Sequence, residues 1–214
     1  EREKAIDPVK LGAMASWDFS EGTVDSISAI DGKLTGNARI IDGDLVLDGK
    51  SSFFSDPIGF ELEEKTLEVA LTLHRLDQSG GGALTVQDLR GVVFDSIVWA
   101  ERKKQEWLPG SNNHRRTRDL GGSPDTGAAS QPTHLVITYH PDGTVTGYRN
   151  GEAYGKPYQA GGVASFEKNK AQIVFGLRHG TANGGNRNLA CTIHHARVYR
   201  RCLSADEVAS LASG

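Results

Sequence analysis

The sequence predicts an all-β protein, an antiparallel β-sandwich of the jelly-roll type with a short C-terminal helix, and three observations lead there. Apolar residues recur with a period of two rather than 3.6 along most of the 214-residue chain. The 26 glycines, about 12% of the chain against a norm of roughly 7%, supply many tight turns. Helix punctuation is found only near the C-terminal end. Charged residues at 24% and hydrophobic residues at 37% suit a folded domain and exclude a mainly disordered chain. The 24 Lys and Arg against 27 Asp and Glu leave a net charge of −3, which argues against a dedicated nucleic-acid binder or a partner of anionic membranes. No apolar run approaches the roughly 18 residues of a membrane span, so no membrane insertion is expected.

In chain order, the charged start Glu1-Arg2-Glu3-Lys4 leading to Asp7-Pro8 reads as a linker from a preceding domain, residues 1–10, with one domain over residues 11–214. Strand candidates follow at residues 15–19 and 44–47. In Thr66-Leu67-Glu68-Val69-Ala70-Leu71-Thr72-Leu73 the leucines and Val69 face one way and Thr66, Glu68 and Thr72 the other. Residues 83–87 and 92–100 are further candidates, and residues 134–140 and 172–178 repeat the alternation less cleanly. Pro141-Asp142-Gly143 marks a turn, and Asn150-Gly151 is the favoured two-residue hairpin turn, closing a strand at residues 144–149. A last strand spans residues 189–199. Ser204 and Glu207 then have the spacing of a capping box, with Val208 and Leu211 as the buried stripe of a helix. Residues 110–131, rich in Gly, Ser, Asn and Arg, form a long loop.

No catalytic residue is expected. A glycosidase needs two carboxylates converging on one bond, and two on the same strand face would read Glu-x-Asp. No Glu here is followed two places on by Asp, nor any Asp by Glu, which leaves a glycoside hydrolase as a less favoured alternative that needs carboxylates from different strands. Gly121-Gly122-Ser123-Pro124-Asp125 fails the last position of a serine-hydrolase elbow. Residues 43–51 imitate a phosphate loop in ending Gly49-Lys50-Ser51, but the spacing is one residue too long and the interior is a strand. His134 and His140, six residues apart on one strand face, would lie roughly 20 Å apart and cannot share an ion. His194 and His195, being adjacent, point to opposite faces of a regular strand, so no metal site is expected. Cys191 and Cys202, eleven residues apart along an extended strand, would be separated by some 36 Å and cannot form a disulfide.

What remains is a capacity to bind. One segment runs from Trp107 through Asn112 to His114, Arg115, Arg116 and Arg118; an indole beside amides and guanidinium forks suits sugars or carboxylates. A second, Arg178-His179-Gly180 with Asn186, lets glycine backbone approach a ligand closely. Outward positions of the strands would add Gln87, Asp95 and Trp99, unless loop 110–131 covers that tryptophan. Both segments can equally be solvated loops whose polar groups satisfy nearby carbonyls.

Several segments, in this order, resemble the laminin-G-like branch of the concanavalin A-like lectin/glucanase superfamily. They are Ser16-Trp17-Asp18-Phe19, Leu45-Val46-Leu47-Asp48-Gly49, His134-Leu135-Val136-Ile137-Thr138-Tyr139, Tyr148-Arg149-Asn150-Gly151, and the closing run from Ala196-Arg197-Val198-Tyr199 into Ser204-Ala205-Asp206-Glu207-Val208. Phe94-Asp95-Ser96-Ile97-Val98, Gly110-Ser111-Asn112 and Val174-Phe175-Gly176-Leu177-Arg178-His179-Gly180 are similar to a subgroup in large secreted planctomycete proteins that also carry a cytochrome c domain. The resemblance implies a jelly-roll module of two curved sheets, usually non-catalytic, that binds glycans or other proteins in an extracytoplasmic setting; the charged start and ordinary loop polarity offer the alternative of a structural domain packing against neighbouring domains of its own chain. Relatives often hold calcium near a sheet edge, commonly through an Asp of the final strand. Here that strand reads His194-His195-Ala196, which supports no calcium ligand, and no cofactor is expected. The haem motif of the parent proteins is not in this chain, so no redox role transfers.

Overall fold

The computed structural model describes residues 7–212, apart from the side chain of Asn186. Its strands are β1 (Ala13–Trp17), β2 (Gly32–Thr35), β3 (Arg39–Ile41), β4 (Asp44–Asp48), β5 (Ser52–Ser55) and β6 (Lys65–Leu73). They continue as β7 (Gly82–Asp88), β8 (Phe94–Trp99) and β9 (Trp107–Ser111), followed by a 3-10 turn at Asn112–His114. Next come β10 (Thr133–Tyr139), β11 (Thr144–Arg149), β12 (Glu152–Ala153), β13 (Tyr158–Gln159) and β14 (Ala171–Phe175). β15 (Leu177–Thr181), β16 (Gly184–Asn188), β17 (Ala190–Tyr199) and the helix α1 (Ala205–Ala212) complete the described chain. Among the described residues no helix is long and apolar enough to cross a membrane.

Two antiparallel sheets face each other. The first has the order β12-β11-β10-β6-β17-β4-β3, with β1 beside β17 and β13 beside β11; the second has the order β2-β5-β14-β7-β8-β9. Between them the inward residues of β6 (Leu67, Val69, Leu71, Leu73) meet those of β7, β8 and β14. Trp17, Phe19, Phe53 and Phe175 pack mainly edge-to-face at centroid distances of 5.2–6.3 Å, the geometry that ring quadrupoles favour.

Local signals produced the elements they promised. Asn150 and Gly151 have φ of 53° and 82°, the pair of positive values that a type I′ turn needs to match strand twist. In the capping box, Ser204 N–H donates to Glu207 Oε2 (2.8 Å) and Glu207 N–H to Ser204 Oγ (3.3 Å). Val208 and Leu211 lay α1 on Tyr148, Tyr199 and Val136, outside the first sheet. Cys191 and Cys202 are unpaired thiols, and burial pushes them up to about 12 and about 11.

Three sequence expectations need correction. The strand expected at residues 172–178 breaks at Gly176, whose φ of 76° turns β15 out of the second sheet and over the outside of β7 and β8. Loop 110–131 starts two residues later than its composition indicated, at residue 112, because Trp107–Ser111 is β9, an edge strand that tolerates Pro109. His194 and His195 do not point to opposite faces. The pairing of β17 with β6 slips between Ile193 and His195, and this bulge turns both imidazoles outward: His194 meets Thr72, and His195 stands over Ala70.

The outward set Gln87, Asp95 and Trp99 is also corrected. Gln87 does lie on the outer face, under β15. Asp95 and Trp99 share parity with Ile97 and point into the sandwich, with 0% of either residue exposed. Trp99 packs on Trp107 at 4.8 Å, and Trp107 donates its indole N–H to Asp125 Oδ2. Asp95 carries the one acid–base cluster that crosses between the sheets among the described residues. Its Oδ2 lies 3.1 Å from Lys65 Nζ of β6, and its Oδ1 accepts from Arg116 Nε at 2.7 Å. Lys65 also donates to the carbonyls of Glu63 and Ala164, and burial pulls its ammonium below the usual lysine range against the opposing pull of Asp95. Asp95→Ala would leave two cations buried without their counter-charge. Urea denaturation should show a loss of about 3–5 kcal/mol, the usual cost of breaking a buried pair from one side.

Candidate functional site

The outer face of the second sheet is built by strand parity. Thr85 and Gln87 of β7 and Phe94 and Ser96 of β8 point away from the core, and β15 lies across them. Thr85 Oγ1 reaches the carbonyls of Leu177 and Arg178, both at 3.0 Å. The Gln87 amide brackets Gly180, donating to its carbonyl (2.6 Å) and accepting from its N–H (3.0 Å). A side-chain amide thus serves β15 as a substitute strand partner.

Held this way, β15 presents Arg178 and His179 over Phe94. The His179 ring stacks on Phe94 at 4.2 Å with an interplanar angle of 11°. Its Nδ1 donates to the carbonyl of Gly91 at 2.8 Å, which puts the proton of the neutral ring on that nitrogen. Burial, assisted by the Arg178 charge and opposed by the Gly91 carbonyl, holds the His179 pKa below the ordinary histidine range. Arg178 lies 5.4 Å over the Phe94 ring and pairs with Glu101 at 2.8 Å.

The opposite wall is the turn after β9. Asn113 and His114 both adopt left-handed backbone, with φ of 51° and 52°. Arg116 holds this turn from behind: its N–H donates to Ser111 Oγ (2.8 Å) and its Nη2 to Asn112 Oδ1 (2.8 Å), while its Nε is spent on Asp95. Asn113, His114 and Arg115 are left exposed at the rim.

Between the walls is an open depression of about 410 Å³, lined by Gly91, Val92, Phe94, residues 111–114, Arg178 and His179. Val92, 56% exposed, is its apolar shoulder, and no carboxylate is among the lining residues. Depressions of about 450 Å³ exist elsewhere, one near Met14, Asp31 and Phe60 and one near Leu76, Gln78 and Lys104. Neither joins the two polar segments.

The structure therefore brings Asn112, Arg178 and His179 to one depression; Arg115 is exposed and follows the lining residue His114 in the chain. Arg116 is buried behind one wall and Gln87 beneath the other. Asp95, Trp99 and Trp107 belong to the interior, and the Asn186 side chain lies outside the described residues. The lining residues outside the two polar segments that the sequence singled out are Gly91, Val92 and Phe94; Ser111, Asn113 and His114 lie within the first of them. A signal existed for Phe94, which has the parity opposite to Ile97 in the alternation of β8.

These features define a jelly-roll sandwich with a lateral depression rather than a deep cleft. The chain belongs to the concanavalin A-like lectin/glucanases superfamily: the sequence model of a laminin G family in it matches residues 75–209. Comparison with curated proteins finds no match. Among solved structures, domain 4 of AbnA, an extracellular GH43 arabinanase from Geobacillus stearothermophilus in complex with arabinotriose, superposes with a TM-score of 0.72 at 19% identity, covering 94% of this chain and 98% of that one. Trypanosoma rangeli sialidase in complex with sialic acid gives 0.66 at 16% identity, covering 98% of this chain and 33% of the sialidase. The receptor-binding domain of the botulinum neurotoxin C/D mosaic serotype gives 0.65 at 15%, covering 95% and 51%. At these identities the likeness is one of fold.

Replacing Gln87 by Ala should loosen β15. Hydrogen exchange at the Gly180 amide should accelerate, and stability should fall by about 1 kcal/mol as half-buried backbone groups lose their partner.

Proposed function

We propose that this chain is a non-catalytic binding module that recognises glycans, on polysaccharide or glycoprotein, as part of a larger extracytoplasmic protein. The observation that carries the reading is the meeting of the 111–114 turn with β15 over one open depression. Side-chain amides and imidazoles at its rim supply directed hydrogen bonds to hydroxyls, and Val92 covers an apolar sugar face. The absence of carboxylates from the lining supports a non-catalytic role, since hydrolysis of a glycosidic bond needs an acid and a base facing the same linkage. The arabinotriose complex of the AbnA domain, which this chain matches over 98% of that domain's length, supports sugar as the ligand class. The narrower resemblance to modules of secreted planctomycete proteins belongs to the same proposal and supplies its setting.

A second reading, packing against a neighbouring domain of the parent protein, is favoured by Leu89 and Val92. These apolar side chains are 42% and 56% exposed on the β7–β8 turn beside the same depression.

A glycan array followed by calorimetry on this chain distinguishes the two. Binding should weaken at least about tenfold, the equivalent of 1.4 kcal/mol, in Arg115→Ala and in Asn113→Gly, which removes the amide and keeps the left-handed backbone. Silence across neutral and acidic glycans, with cross-links from the 111–115 turn to another domain of the intact parent, would replace the first reading by the second. Turnover of a polysaccharide would overturn both.

A further inference from the structure

The outer face of the first sheet, on the opposite side of the sandwich, carries a second constellation. Glu68 of β6 faces outward yet is 0% exposed. Ala70, two residues along the same strand face, is paired with His134 of β10 on one side and His195 of β17 on the other. The small Ala70 side chain lets the two imidazoles lean together, with ring centroids 6.0 Å apart. His134 Nε2 lies 3.0 Å and His195 Nε2 3.5 Å from the same carboxylate oxygen, Glu68 Oε1. One potential ligand atom from each of the three residues lies within 4.8 Å of both others.

We propose that Glu68, His134 and His195 form a binding site for a divalent transition metal of the zinc class. Two imidazole nitrogens and a carboxylate oxygen are the donor set that such borderline ions prefer over calcium or magnesium. A tetrahedral ion with bonds near 2.0–2.1 Å separates its ligand atoms by about 3.3 Å, close to the two nitrogen–oxygen spacings present. The carboxylate is held as a ligand should be: Tyr199 donates its hydroxyl to Oε2, and Arg197 Nη1 donates to Oε1 at 2.7 Å.

Without an ion, Oε1 faces three nitrogen groups, more than its lone pairs can serve, and His195 Nε2 is buried with no hydrogen-bond partner among the described residues. An ion takes both Nε2 lone pairs and relieves that crowding. The bulge before His195 is what brings the second imidazole to this face. Three protein ligands leave a fourth tetrahedral position for water.

The test is calorimetric titration of the tag-free chain with Zn²⁺ alone, alongside the ligand-field spectrum with Co²⁺. One ion per chain, a tetrahedral Co²⁺ spectrum and a rise in Tm with Zn²⁺ are expected. Affinity should fall at least about 100-fold in His134→Ala and His195→Ala. Ala70→Leu keeps every ligand and fills the space between the rings, so it too should abolish binding while near-ultraviolet circular dichroism reports a native fold. His194→Gln should bind as the wild type does, because His194 is engaged with Asp44 and Thr72. No stoichiometric binding by the wild type, or binding indifferent to Ala70→Leu and His195→Ala, would overturn the proposal. None of these outcomes bears on glycan binding at the other face.

Discussion

The arrangement depends on one buried charge cluster, Lys65–Asp95–Arg116. Lys65 comes from the centre of one sheet, Asp95 from the other, and Arg116 from the long segment that crosses between them. Taking these charges out of water costs several kcal/mol each, and only close, well-aligned partners repay it. Apolar contacts between two sheets tolerate small sliding movements, whereas this cluster has one good geometry. Its consequences reach the surface. With its Nε fixed by Asp95, Arg116 holds Ser111 and Asn112 through its N–H and Nη2, and its carbonyl accepts from Tyr158. The left-handed pair Asn113–His114 is thereby kept at the rim of the depression.

A second constraint is that neither sheet leaves its outer face bare. Beyond the second sheet, the β15–β16 hairpin covers Thr85 and Gln87; beyond the first, α1 and the turn around Leu11 pack on Val136, Tyr148 and Tyr199. Polar residues at outward positions are therefore buried, and each must find a partner. Gln87 finds Gly180, Thr85 finds Leu177 and Arg178, and Glu68 finds Tyr199 and Arg197. Hydrogen-bonded networks therefore run across part of both outer faces of the sandwich. They also explain how a depression on one face and a histidine–carboxylate cluster on the other can be preorganised by a scaffold of short strands.

The fold was legible wherever one stretch of chain carries its own signal. The alternation in β6 and β10, the Asn150-Gly151 turn and the Ser204–Glu207 box each encode a local geometry, and each formed. The short strands β2, β3 and β5 were not legible, since three or four residues hold too few periods to separate from loop. The candidate site was half legible. Asn112, Arg178 and His179 converge, but Trp99 and Asp95 were assigned to the wrong face, because an indole and a carboxylate in alternating positions look like surface residues. Their burial depends on Trp107 and Lys65, which come from other strands.

Taken alone, the sequence determined the class of the protein and its punctuation: a β-sandwich, its hairpin turn, its terminal helix and the want of a paired-carboxylate motif. These rest on interactions between residues close together in the chain, where φ preferences, caps and period-two alternation act directly. Only the tertiary structure decided which way a side chain faces after Gly176 turns the backbone or the bulge before His195 shifts its register. A one-residue slip reverses every facing beyond it, and the energy that selects the slip lies in pairing with strands more than a hundred residues away.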